Sequence, residues 1–68
     1  MKTATASLGT RLQAAREAAD LSRANLASRV GVSRQMIYFL ETDAKMPTFE
    51  LACKLADTLK ITLDSLRG

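Results

Sequence analysis

Apolar residues along this 68-residue chain recur at helical spacing, broken by short polar segments, and no stretch reads as a strand. Leu8, Leu12, Ala15 and Ala19 predict a first helix over residues 7–19 with Ser7 as its cap. Leu21 lies beyond its end and staples the turn into the next helix. Ser22 caps that second helix, whose inward residues are Leu26, Ala27 and Val30, and Gly31 is suited to the left-handed conformation that ends it. Val32 points inward again, Ser33 caps a third helix, and Ile37 and Leu40 form its inner face. The segment TDAKMP then breaks the pattern, because Pro47 disfavours helix just before it. Thr48 caps a fourth helix with Phe49, Ala52, Cys53, Ala56 and Leu59 as its stripe, widened by Leu51 and Leu55. Ile61 and residues 62–66 give a short fifth helix. The predicted class is all-α: five short helices around one core, with residues 1–6 as a frayed arm and 7–68 as one domain.

Composition narrows the chemistry. There is no His, so imidazole catalysis and His-containing metal sites are excluded, and the one Cys makes no internal disulfide. On the stripe of the fourth helix, Cys53 reads as a small core hydrophobe. No apolar run reaches the roughly 20 residues of a membrane span, and MKTATASLG has no apolar signal-peptide core. A cytoplasmic setting is expected. Asp20, Asp57 and Asp64 are scattered and no glycine-rich phosphate loop exists, so an enzyme is not expected, nor any cofactor or metal. Net charge is +3, unevenly spread: residues 1–36 carry +4 and residues 37–68 carry −1. The excess lies where most of the central motif lies, as phosphate binding favours.

That motif is residues 22–41, two short helices joined by a tight glycine turn, the second opening with Arg34 and Gln35. A helix that begins with Arg and Gln and is backed by a partner helix is shaped to enter the DNA major groove. The guanidinium fork of Arg34 matches O6 and N7 of guanine, and the amide of Gln35 matches N6 and N7 of adenine. Phosphate contact or simple solvation are their alternatives. Ser33, like Ser22, is a cap that can also donate to phosphate. Arg23 fits a backbone phosphate, and Thr42 and Lys45, just past the third helix, complete the candidate DNA-binding set.

The chain resembles the phage-repressor or XRE-type (lambda-repressor-like) helix-turn-helix family over about residues 8–66. The resemblance rests on LGTRLQAAR, LSRANLASRVGVSRQMIYFLE, Pro47 after a short loop, and LACKLADTLKITLDSL. It implies that the third helix reads bases and that two copies bind a palindromic operator as a homodimer. It also implies a structural ion pair between Arg16 and Glu41. Arg23 stands where the family commonly has Gln, and Asp43 and Lys60 stand where it often has Gly. A left-handed backbone at either of those two costs on the order of 1 kcal/mol, less for Asp.

Met36, Tyr38 and Phe39 make the third helix unusually apolar for this family. Phe39, one turn on from Arg34 and Gln35, can touch a thymine methyl, and the Tyr38 hydroxyl can reach a phosphate. Alternatively Tyr38 tucks against the following loop, or Met36 and Phe39 form a patch for a protein partner. Two functional classes follow: a DNA-binding transcriptional regulator, in particular a repressor on double-stranded operator DNA, or a protein-interaction module. For a dimer, the expected self-contact is the segment Lys60 to Leu66, where Ile61 and Leu63 offer apolar atoms.

Overall fold

A computed structural model of the chain describes residues 7–67. It contains α1 (Leu8–Ala18), α2 (Arg23–Val30), α3 (Arg34–Glu41), α4 (Phe49–Leu59) and α5 (Leu63–Arg67), with no strand among the described residues. The arm expected at residues 1–6 lies outside the described residues.

Each of the first four helices starts the same way. The hydroxyls of Ser7, Ser22, Ser33 and Thr48 accept from the backbone amides of Thr10, Asn25, Met36 and Leu51 at 3.0–3.1 Å. Each fills one of the amides that a helix start leaves without a partner. Thr62 does the same for α5, accepting from the Ser65 amide at 3.1 Å.

The four helices also end alike. One left-handed residue follows each: Asp20 (φ 61°), Gly31 (φ 79°), Asp43 (φ 64°) and Lys60 (φ 58°). The next amide then donates to the carbonyl five residues back: Leu21 to Arg16, Val32 to Ala27, Ala44 to Phe39 and Ile61 to Ala56, at 2.9–3.2 Å. This closure satisfies the orphan carbonyls and turns an apolar residue inward. Leu21, Val32 and Ile61 do pack against the core. Asp20 is the member that sequence reasoning overlooked.

The core joins Leu12 of α1, Leu26, Ala27 and Val30 of α2, Ile37 and Leu40 of α3, Leu55, Ala56 and Leu59 of α4, and Leu66 of α5. Three expectations are corrected here. Phe49 is not on the buried stripe of α4; it is 75% exposed, and Leu55, expected only at the margin, is fully buried. Phe49 is seven residues from the buried Ala56 and shares its side of α4, but it is the first residue of the helix, at the very end of the stripe. Met36 does not belong to the outer surface of α3 but packs against the core. Of the two apolar residues offered for self-contact, Ile61 is taken up by the core, while Leu63 is half-buried and outside the core cluster.

α1 and α3 meet at two points. At the first, Gly9 lies so close to α3 that an added Cβ would stand 2.6 Å from the Leu40 carbonyl oxygen and collide with that of Glu41. Its amide donates to Oδ1 of Asp43 at 3.0 Å. At the second, Arg16 donates from Nε to Glu41 Oε2 at 2.6 Å and from Nη2 to Oε1 at 3.3 Å. Its Nη1 donates to the Leu21 carbonyl at 2.8 Å. This is the ion pair that the family resemblance implied.

Both contacts yield tests. Alanine exceeds glycine in helix propensity by about 1 kcal/mol, but the collision at Gly9 is with backbone that cannot rotate aside. Gly9→Ala should therefore destabilise the fold by about 1–3 kcal/mol net, read by urea denaturation. Glu41→Ala strands a buried guanidinium, and the loss should be about 3–5 kcal/mol. For a chain this small that approaches the whole stability, so circular dichroism should show it largely unfolded at 37 °C.

Candidate nucleic-acid interface

The α2–α3 corner gathers part of the predicted set in one open cleft. Its lining is Ser22, Arg23 and Ala24 from the start of α2, Arg34, Gln35 and Tyr38 from α3, and Arg16 behind them. Arg34 and Gln35 occupy the first two positions of α3 and are exposed. The gathering follows from the chain: Gly31 reverses it tightly enough to bring the start of α3 back beside the start of α2. Three cationic side chains and the positive ends of two helix dipoles then converge, an arrangement that favours anions.

Arg23 is held more firmly than an ordinary surface arginine. Its Nε donates to Glu41 Oε1 at 2.8 Å, and its guanidinium carbon lies 5.5 Å from the centroid of the Tyr38 ring. The Glu41 side chain is only 1% exposed, while that of Arg23 is 37% exposed. One buried carboxylate thus serves two arginines, Arg16 from α1 and Arg23 from α2, leaving a net positive charge at the corner. Sequence reasoning paired Glu41 with Arg16 alone; the second partner is 18 residues away, and no linear spacing signals it.

The remaining predicted residues lie apart from this cleft. Ser33 caps α3, its hydroxyl oxygen accepting from the Met36 amide. Phe39 is half-buried, with Nζ of Lys45 5.5 Å from its ring centroid, and Thr42 Oγ1 donates to the Phe39 carbonyl at 3.3 Å. Phe39, Thr42 and Lys45 therefore form a second cluster at the far end of α3. With Met36 turned to the core and Phe39 half-buried, the two do not make the broad apolar patch considered for a protein partner. Tyr38 stays 48% exposed, its ring tilted 55° to that of Phe39 with centroids 6.1 Å apart. It is stacked by Arg23, not buried against the following loop.

Among the described residues, no group of His, Cys, Asp or Glu side chains is placed to hold a metal ion. No helix among them is long and apolar enough to cross a membrane.

Comparison with known proteins gives this geometry a family. The helix-turn-helix family profile matches residues 12–66. The P22 c2 repressor, solved in complex with a synthetic operator, is 30% identical, with a TM-score of 0.88 over 93% of this chain and 96% of that one. The restriction-modification controller protein C.AhdI of Aeromonas hydrophila is also 30% identical, with a TM-score of 0.82 over 87% of this chain and 89% of its own. SinR, a master regulator for biofilm formation solved with DNA, shares the fold at 22% identity, with a TM-score of 0.81 over 87% of this chain and 95% of its own. A search of curated proteins returned no match. The family profile over residues 12–66 and these likenesses agree: the chain belongs to the XRE-type helix-turn-helix family of DNA-binding regulators.

Proposed function

We propose that this chain is a sequence-specific operator-binding repressor of the cytoplasm, not an enzyme, and that it acts as a homodimer on double-stranded DNA. The observation that carries the reading is the exposed Arg34–Gln35 pair at the start of α3, set in a cationic cleft beside the start of α2. With α3 in the major groove, Arg34 reads guanine and Gln35 reads adenine, each bidentate pair contributing about 1–3 kcal/mol of discrimination. Ser22, Arg23, Ser33, Thr42 and Lys45 contact phosphates and fix the register of the helix. Phe39, one turn beyond Arg34 and Gln35, meets a thymine methyl. The likeness to a repressor solved on its operator supports the reading.

A domain of this size reads only a few base pairs, too few for the roughly 10⁻⁸ M or tighter affinity of specific regulators. Two copies about 34–36 Å apart reach successive major grooves and double the reading. Selection of bound sequences from a random duplex pool should therefore recover a palindrome, with two copies protecting it in a footprint. A single asymmetric half-site protected by one copy would exclude the dimer.

Arg34→Ala should fold normally and lose its preference at one base pair per half-site, seen by repeating the selection with the purified variant. An unchanged preference would remove Arg34 from the reading surface.

A further inference from the structure

We propose that Tyr38 acts on DNA through Arg23: its ring face, together with Glu41, holds the Arg23 guanidinium ready as a phosphate clamp. The inference rests on the duplex-binding reading above and assigns Tyr38 a positioning role that the rival hydroxyl-to-phosphate contact does not contain.

Two different interactions fix Arg23. Its Nε is bonded to Glu41 Oε1 at 2.8 Å, and its guanidinium carbon stands 5.5 Å from the Tyr38 ring centroid. Tyr38 and Glu41 are three residues apart on α3, so they share one side of that helix, while Arg23 is the first residue of α2. The anchor itself does not move, because Glu41 is buried and also held by Arg16.

The bond to Glu41 uses one of the five N–H donors of a guanidinium, leaving those on the two terminal nitrogens for an anion. An arginine free in solvent gives up much rotamer freedom when it grips a phosphate. Here most of that freedom is already lost before DNA arrives, so the contact forms with a smaller entropic penalty. Cation–π attraction needs only the ring, so the hydroxyl is dispensable to it.

The discriminating experiment measures dissociation constants across a salt series on one duplex carrying the selected site. It uses the unaltered chain, Tyr38→Ala, Tyr38→Leu, Tyr38→Phe, Arg23→Ala and the double variant Arg23→Ala/Tyr38→Ala, with a thermal melt of each as the check on folding. Tyr38→Ala and Tyr38→Leu should weaken binding about 2- to 5-fold, and Tyr38→Phe should recover most of that loss. In the Arg23→Ala background, the Tyr38→Ala effect should nearly vanish. Arg23→Ala alone should lower the slope of log affinity against log salt by about 0.9. Loss in Tyr38→Phe equal to that in Tyr38→Ala would overturn the proposal in favour of the hydroxyl. A Tyr38→Ala loss that persists without Arg23 would overturn it as well. An unaltered chain that binds no duplex would overturn both the clamp and the function beneath it, whereas the other two failures leave duplex binding standing.

Discussion

Glu41 places a carboxylate where almost no water reaches it, a position tolerable only when its oxygens are met by charged donors. Arg16 supplies two of those donors and Arg23 a third. These three residues sit on three different helices. Satisfying one buried group therefore fixes how α1, α2 and α3 stand relative to one another. It also decides the electrostatics of the corner, since two positive charges answer one negative. The interior demand and the exterior field have the same origin.

Around that centre, the helix boundaries are set locally. A hydroxyl caps each of the first four starts, and a left-handed residue closes each of those ends. Only one of the four closures uses glycine; Asp20, Asp43 and Lys60 accept a less favourable backbone. Asp43 offsets part of that by accepting from the Gly9 amide, which adds a negative group at the start of α1. The loop after α3, with Thr42 and Lys45 on it, is thereby tied to the start of α1.

The helices were legible because apolar spacing and capping residues are local signals. Ser7, Ser22, Ser33 and Thr48 each head a periodic run, and the observed starts follow them directly. The pairing of Arg16 with Glu41 came from family resemblance, since 25 residues separate them and periodicity alone does not connect them. Phe49 misled because its spacing fits the stripe, while its place as the first residue of α4 leaves the ring exposed. Met36 misled in the opposite sense: its place in the recognition helix suggested the surface, but its flexible side chain reaches the core. The engagement of Arg23 by Glu41 and Tyr38 had no sequence signal, because it depends on how two helices cross. The same holds for Gly9, whose missing side chain has meaning only against the carbonyls opposite.

Gly9 and Arg16 are seven residues apart, very nearly two helical turns, so both lie along one line of α1 facing α3. One end of that line sets how closely the two helices approach and the other sets how α1 is rotated. Removing or adding a single residue between them would swing one end by about 100° relative to the other. The chain would then have to choose between the close glycine contact and the buried charge. This stretch of α1 thus behaves as a fixed-length gauge: Leu12 and Ala15 apart, which the core holds, residue identity between the two points is open to drift, but residue number is not.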